Sequence, residues 1–199
     1  MFEPFILTPD KLAGPLLAIL LQATFLVTER VHERRISAVM PAVRRLPTST
    51  AKGRQFLYWL RRLGLAVSLL TIGHLDAAPL PWLVPGVALF AAGMVVRWRA
   101  VAALGRFFSR QLMIQNDQVL VTDGLYRHIR HPAYTGMLLC NCGIGCATLN
   151  WISGLVIIGA TVILLRQRIR IEERLMIEGF GEEYEAYRKG TECLVPWIY

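Results

Sequence analysis

Residues 124–136 read GLYRHIRHPAYTG, a polar stretch that lies directly before an apolar run. Pro132 disfavours a helical backbone at His131, the residue before it, yet it suits the first turn of a new helix. The stretch is therefore predicted to be a loop that leads into a helix beginning near Ala133. Polar side chains and free backbone N–H groups would meet at that point, so chemistry is expected there.

The composition of the whole chain is that of a membrane protein. Of its 199 residues, 54% are hydrophobic and 18% are charged, and the mean hydropathy is +0.43. Soluble globular proteins have roughly 25% charged residues. The formal net charge of +8 is distributed between apolar segments instead of being gathered on a polar domain. This distribution argues against nucleic acid as a partner and favours the positive charge that orients membrane proteins.

Five apolar segments are each long enough, or nearly so, to cross the roughly 30 Å hydrocarbon core of a bilayer. They are Leu12–Val27, Phe56–Leu75, Leu80–Val96, Ala133–Leu149 and Trp151–Leu165. Because Asn150 alone separates the last two, these are predicted to form an antiparallel helical hairpin. Gly136, Gly143, Gly145 and Ala147 give the first helix of that hairpin a small-residue surface for close packing. The predicted fold class is all-α, a polytopic membrane protein with about five transmembrane helices.

The positions of the basic residues predict how these helices are oriented. Of the 22 Lys and Arg residues, all but Lys11 fall on one side of the five-helix arrangement. By the positive-inside rule the N-terminus lies outside and the C-terminus lies in the cytoplasm. Residues 1–10 contain no basic residue, which argues against a cleaved signal peptide. The compact loops favour a prokaryotic inner membrane, and residues 97–108 are predicted to form an extension lying in the membrane interface.

Charged residues follow the fifth apolar segment. Arg168 and Glu172 are four positions apart, so they would be neighbours on one face if the helix continues beyond the membrane. Taken alone, this pair is compatible with a surface ion pair at the end of a helix. Its proximity to the polar stretch at 124–136, once the hairpin folds back, would make it part of a site.

Several motifs in the C-terminal half share the order and spacing of a known family. They are ALGRFFS at 103–109, LVTDGLY at 120–126, RHPAYTG at 130–136, EE at 172–173 and FGEEY at 180–184. Together they resemble the isoprenylcysteine carboxyl methyltransferase family over about residues 100–199. The resemblance implies a membrane-embedded methyltransferase dependent on S-adenosylmethionine, whose C-terminal half binds the cofactor from the cytosol. Residues 1–99 would then supply N-terminal transmembrane helices with a basic cytosolic connector.

The resemblance also implies particular site residues. It places cofactor contacts on Gln111, Gln118, Val119, Leu120, Val121, Tyr126, His131, Pro132, Ala133, Tyr134 and Glu172, and a substrate-facing arginine on Arg168. S-adenosylmethionine carries an ammonium, a carboxylate, a sulfonium, a ribose and an adenine. An acid, hydrogen-bond donors and flat aromatic rings suit these groups.

The chemistry of the acceptor follows from Arg168, whose planar charged fork suits a carboxylate. A carboxylate is a nucleophile at neutral pH and needs no general base, whereas a protonated amine would need one, with Glu173 or His128 as candidates. We expect a lipophilic acceptor, first of all an isoprenylcysteine-like one, that enters from the surrounding membrane lipids.

Three other functions remain open at this stage. Phospholipid N-methyltransferases share a similar cofactor pattern, membrane sterol reductases have a related C-terminal half that uses a nicotinamide cofactor, and a non-catalytic helical membrane protein is a third possibility. No metal is expected, because His128 and His131 supply two ligands without a third. Cys140, Cys142 and Cys146 are predicted to be small packing residues between helices.

Overall fold

The computed structural model describes residues 9–39, 80–108 and 118–194, together with the single positions 59, 62 and 66. Within these residues all regular structure is helical, apart from one isolated bridge between Ile129 and Glu192. The predicted all-α fold class is confirmed. The helices whose full ranges lie within the described residues are α1 (Pro9–Val39), α2 (Leu83–Leu104), α3 (Pro132–Ala147), α4 (Trp151–Phe180) and α5 (Glu182–Lys189). Three short 3-10 turns accompany them at Leu80–Trp82, Gly105–Phe107 and Gly124–Arg127.

Among the described residues, three helices are long and apolar enough to cross a membrane: Leu12–Val31 within α1, Leu83–Phe107 around α2, and Trp151–Phe180 in α4. Helix α3, with 16 residues, is about 24 Å long, shorter than the roughly 30 Å hydrocarbon core. The predicted second segment, Phe56–Leu75, lies outside the described residues except at three single positions. The total of five transmembrane helices therefore stays a prediction.

Helices α2 and α3 approach each other along a line of glycines. A Cβ atom built on Gly143 would lie 2.5 Å from the carbonyl oxygen of Gly86, and one on Gly93 would lie 2.6 Å from the backbone nitrogen of Cys140. No side chain fits at such separations, so the two backbones are in direct contact. On the other side of α3, Gly145 faces Gly154 of α4, with its Cβ position 3.2 Å from the Gly154 Cα atom. The predicted small-residue surface of α3 therefore packs against both neighbours.

The corner of the hairpin is longer than predicted. Helix α3 ends at Ala147, and Thr148, Leu149 and Asn150 form the turn before α4 begins at Trp151. The helix cannot continue because Leu149 has a left-handed backbone, with φ at 53°. The Asn150 side chain then accepts a hydrogen bond from the Ser153 N–H at 3.0 Å, which caps the start of α4.

A core of apolar side chains joins α1, α2, α3 and α4. Its members from successive helices include Phe25, Phe90, Ile144 and Ile157. Large apolar side chains on the outer faces are exposed, such as Val84 and Leu155, as is expected of positions that face lipid. The buried Cys140 packs within the core, as predicted for the cysteines of this segment.

The predicted extension at residues 97–108 is helical as far as Leu104 and ends in the 3-10 turn Gly105–Phe107; its position in the membrane interface stays a prediction. Helix α2 runs without a break from Leu83 to Leu104, so these residues continue the spanning helix. Trp98 is exposed, but Arg97 is buried against neighbouring helices instead of reaching water. The reason is an acidic partner on α1 that the local sequence does not reveal.

Candidate functional site

The site begins where the polar stretch turns into α3. Pro132 is the first residue of that helix, so the predicted start near Ala133 is confirmed. His131 precedes the helix with φ −123° and ψ 55°, and its carbonyl accepts hydrogen bonds from the N–H groups of Tyr134 at 2.9 Å and Thr135 at 3.1 Å. The first helical turn thus fixes His131 and Tyr134 relative to each other. Their rings stack with centroids 5.6 Å apart and planes 18° apart.

Helix α4 continues 15 residues past Leu165, the predicted end of its apolar segment, and ends at Phe180. As predicted, this continuation brings Arg168 and Glu172 onto one face, and that face meets Tyr134. The Tyr134 hydroxyl donates a hydrogen bond to Glu172 Oε2 at 2.5 Å and accepts one from Arg168 Nε at 2.5 Å. The guanidinium of Arg168 also lies 5.7 Å from the centre of the Tyr134 ring. One phenol therefore joins the two charged residues to the start of α3.

Glu173 belongs to a second set of contacts, because adjacent helical residues point about 100° apart. Its carboxylate accepts a hydrogen bond from Arg130 Nε at 3.0 Å and lies 3.6 Å from Arg188 Nε. The buried Nε2 atom of His131 lies 3.5 Å from Glu173 Oε1 and has no hydrogen-bond partner within the described residues. A buried polar atom of this kind is suited to a ligand, since leaving it unpaired costs free energy.

A segment at the end of the described chain holds the polar stretch in place. We call residues 187–194 the C-terminal strap. The N–H of Arg130 donates to the Glu192 carbonyl at 2.8 Å, the N–H of Glu192 donates to the His128 carbonyl at 3.0 Å, and the N–H of His131 donates to the Cys193 carbonyl at 3.2 Å. The Arg130 side chain also donates to the carbonyls of Arg188 and Thr191. The strap thereby fixes the backbone on which His131 stands.

Sequence reasoning did not identify the strap. The FGEEY motif was recognised only through the resemblance, and nothing in residues 187–194 forms a motif of its own. A local signal does exist at Gly181, whose φ of 55° ends α4 and lets the chain fold back into α5. Tyr187 of α5 then donates its hydroxyl to the Tyr126 carbonyl at 2.6 Å.

Tyr126 lies beneath this loop. It is buried with Ala100 and Ala133, and its hydroxyl lies 3.4 Å from the Ala100 carbonyl oxygen. Burial, and then the negative charge of Glu172, raises the pKa of Tyr126 above its ordinary value, so its phenol stays a neutral hydrogen-bond donor. Burial similarly raises the pKa of Tyr187 to about 12. Tyr126 is therefore an interior residue, whereas Tyr187 is half-buried.

The predicted strip at residues 118–121 runs beside the same cluster. Val121 packs against the buried Tyr126, Ala100 and Ala133 group. Val119 is exposed, whereas Gln118 and Leu120 are partly buried. The structure thus brings His131, Pro132, Ala133, Tyr134, Tyr126, Arg168 and Glu172 together with part of the strip, and Gln111 lies outside the described residues.

The arrangement also contains three possible metal ligands. The ligand atoms of His131, Glu173 and Cys193 all lie within 4.8 Å of one another. Two guanidinium groups, from Arg130 and Arg188, already face the Glu173 carboxylate, and their positive charge disfavours a metal cation there. His128 is exposed and is not part of this group. The expectation of no metal stays a prediction.

Comparisons with known proteins place this architecture in a family. The model of the isoprenylcysteine carboxyl methyltransferase family matches residues 86–178. A protein-S-isoprenylcysteine O-methyltransferase from Schizosaccharomyces pombe is 33% identical over 108 residues, which cover 53% of this chain and 46% of that protein. A probable protein-S-isoprenylcysteine O-methyltransferase from Oryza sativa subsp. indica is 33% identical over 147 residues, covering 67% of this chain and 75% of that protein.

A solved structure gives the same result for the fold. The eukaryotic intramembrane Ras methyltransferase ICMT superposes with a TM-score of 0.70 at 20% sequence identity, covering 97% of this chain and 70% of that chain. The present chain spans about half the length of the Schizosaccharomyces relative and three quarters of the rice one. From the matched family model, the rice relative and the shared membrane fold, we conclude that this chain belongs to the isoprenylcysteine carboxyl methyltransferase family.

Proposed function

We propose that this integral membrane protein transfers a methyl group from S-adenosylmethionine to the carboxylate of a lipophilic, isoprenylcysteine-like acceptor. The observation that carries the proposal is the Tyr134 hydroxyl, held 2.5 Å from both Glu172 and Arg168. It joins the acid that we assign to the cofactor and the arginine that we assign to the acceptor at one point. The names of the relatives support the type of reaction.

The residues of the site fit the proposed cofactor. S-adenosylmethionine, when bound, supplies an electrophilic methyl group on a sulfonium centre. The buried Nε2 of His131, which has Glu173 Oε1 at 3.5 Å, lies at the N-terminus of α3, where the helix dipole favours an anion such as the cofactor carboxylate. Glu172 offers negative charge for the ammonium or the ribose hydroxyls, and the rings of Tyr126 and Tyr134 offer flat faces.

The remaining cofactor contacts are proposed from the resemblance of the sequence motifs to those of the family. They are Gln111, Gln118, Val119, Leu120, Val121, Pro132 and Ala133, with residues 100–199 as the methyltransferase region. Contacts along 118–121 would be made through the backbone, which agrees with the exposed side chain of Val119.

Arg168 is assigned to the acceptor. A carboxylate is already deprotonated at neutral pH, so this chain has to bind and orient it instead of removing a proton. The transfer neutralises a positive and a negative charge, and a site shielded from water therefore lowers its barrier. A lipophilic acceptor would arrive laterally from the bilayer while the cofactor enters from the cytosol. In this arrangement the N-terminus is outside and the C-terminus is cytoplasmic.

Phospholipid N-methylation is the second candidate, and it is less well supported. An ammonium acceptor would need a general base, and the candidates were Glu173 and His128. Glu173 is held by Arg130 at 3.0 Å, which stabilises its charged form and weakens it as a proton acceptor. His128 is exposed at the surface of the loop.

Binding and transfer measurements test the proposal. Calorimetry of the detergent-purified protein should give heat with S-adenosylmethionine and S-adenosylhomocysteine and none with NADPH. Radiolabelled methyl groups should pass to a prenylcysteine analogue as a base-labile ester, and phosphatidylethanolamine should stay unlabelled. Heat with NADPH alone would indicate a reductase, and label on the phospholipid would indicate N-methylation.

Two variants separate the proposed roles. Glu172→Ala should weaken S-adenosylhomocysteine binding about tenfold or more, because a charged hydrogen-bond partner is lost. Arg168→Ala should mainly lower the rate of transfer to the acceptor and raise its KM. Arg170→Ala, an exposed position on the same helix, is the control for both. Unchanged cofactor affinity in the Glu172 variant would contradict the site.

A further inference from the structure

Arg97 is a charged residue buried inside the helical part of the protein. Only 5% of its surface is exposed, and it lies on α2 within a segment long and apolar enough to cross a membrane. A charge in such a place is costly unless it is paired and hydrogen-bonded. Glu29 of α1 supplies that partner through two parallel contacts, Arg97 Nε to Oε1 at 2.5 Å and Nη2 to Oε2 at 2.7 Å.

The third contact of Arg97 reaches the proposed site. Its Nη1 donates a hydrogen bond to the carbonyl oxygen of Ala133 at 2.8 Å. Ala133 is the second residue of α3 and stands between His131 and Tyr134 in the chain. The close glycine contact makes this possible, because Gly136 lets the backbone of α3 come next to Arg97, with its Cβ position 2.7 Å from the Arg97 nitrogen.

We infer that Arg97 and Glu29 are positioning residues for the cofactor site. Glu29 holds the guanidinium in one orientation, and the guanidinium holds the first turn of α3, from which His131 and Tyr134 project. Helix α1 thereby contributes to a site that the sequence motifs place wholly in residues 100–199. This inference rests on the proposed function, since it concerns the cofactor that we assign to that site.

The chemistry of the contact favours positioning over simple docking of helices. An apolar pair would join α1 to α2 at least as well as a buried ion pair, which gains little net stability. A guanidinium, however, has five N–H donors in a fixed plane and can hold a carboxylate and a carbonyl at once. A lysine has no such fork, so Arg97→Lys keeps the charge and loses the geometry.

The test compares three variants in the full-length, detergent-purified protein. Arg97→Lys and Glu29→Gln should each weaken S-adenosylhomocysteine binding about tenfold, the effect of losing one charged hydrogen bond, and should raise the KM for the methyl donor more than that for the acceptor. The charge-swapped double variant, Glu29→Arg with Arg97→Glu, restores an ion pair between α1 and α2 and removes the donor to Ala133. Its thermal unfolding temperature should be higher than those of the two single variants, whereas its affinity for S-adenosylhomocysteine should stay low.

Arg99→Lys, an exposed position on the same helix, is the matched control and should bind as the wild type does. Wild-type affinity in Arg97→Lys and Glu29→Gln would overturn the inference, as would full recovery of affinity in the swapped variant. If the swapped variant does not fold, the two single variants still decide. If the wild type itself binds no S-adenosylhomocysteine, the proposed function fails first, which is a distinguishable result.

Discussion

The phenol of Tyr134 has two hydrogen-bond partners of opposite charge. The hydroxyl donates a hydrogen bond to the Glu172 carboxylate and accepts one from the Arg168 guanidinium, so it acts as donor and acceptor at the same time. A hydrogen bond to a charged group typically contributes about 1.5–3 kcal/mol, more than a neutral one. At the scale of single residues, this hydroxyl is the group that sets the distance between the proposed cofactor and acceptor sides.

Tyr134→Phe removes that hydroxyl and keeps the ring that stacks on His131. We expect it to lower the rate of methyl transfer about tenfold or more, because two charged hydrogen bonds are lost, while the unfolding temperature changes little. Steady-state kinetics with a prenylcysteine analogue measures the rate. Tyr184→Phe, which removes the hydroxyl of another buried tyrosine, on α5, is the control. Equal rates in the two variants would show that the hydroxyl does not order the site.

At the scale of helices, the glycine contact between α2 and α3 determines how closely Arg97 of α2 approaches the first turn of α3. Gly143→Ala would place a methyl group 2.5 Å from the Gly86 carbonyl oxygen and 2.6 Å from the Phe90 nitrogen. Both are backbone atoms, so the helices themselves must move apart, and we expect a loss of about 1–3 kcal/mol in stability. Thermal unfolding in detergent measures it.

Gly159→Ala on α4 is the matched control, because no atom of the described part of the chain lies within 4 Å of its Cβ position. Alanine is the better helix former by about 1 kcal/mol, so this variant should unfold at the same or a higher temperature. If the Gly143→Ala protein unfolds at the same temperature as the Gly159→Ala control, the backbones of α2 and α3 are not in contact.

The C-terminal strap is the second element that supports the site. Tyr187→Phe removes the 2.6 Å hydrogen bond to the Tyr126 carbonyl, which should cost about 1 kcal/mol of local stability. Hydrogen exchange should become faster at residues 124–131 and stay unchanged in α2. Lys189→Ala, exposed on the same short helix, should alter neither. Faster exchange throughout the protein would instead indicate a global effect.

At the scale of the whole molecule, the basic residues predict its orientation. A cysteine introduced at Glu183, which is exposed beside the proposed site, should react with a membrane-impermeant maleimide from the cytoplasmic side only. A cysteine at Trp151, exposed at the opposite end of α4, should react from the outer side only. Of the four native cysteines, Cys140 and Cys193 are buried, whereas Cys142 and Cys146 are partly exposed and are replaced by alanine before labelling. Reversed labelling would reverse the proposed topology.

Features that depend on residues close together in the chain, such as the start of a helix or the residues that share a helix face, could be predicted from the sequence. Pro132 marks the start of α3, and the four-residue spacing of Arg168 and Glu172 predicted their shared face. The Arg97 pair was missed because Glu29 is 68 positions away, and hydrophobic pattern carries no information on such a contact. The strap was missed for the same reason, since Tyr187 and Tyr126 are 61 positions apart. The relatives named above are eukaryotic, so the prokaryotic origin stays a prediction.

Helix α4 is one uninterrupted rod of 30 residues, about 45 Å long, and only its first half is apolar. Because the helix is continuous, a tilt of its apolar first half also moves its second half, which carries Arg168 and Glu172. The apolar half is about 22 Å long, which is shorter than the roughly 30 Å hydrocarbon core. A bilayer with longer acyl chains would increase this mismatch, and Arg168 and Glu172 would shift relative to Tyr134. The turnover of the reconstituted enzyme is thus expected to depend on lipid chain length, so that membrane thickness itself acts as a regulator.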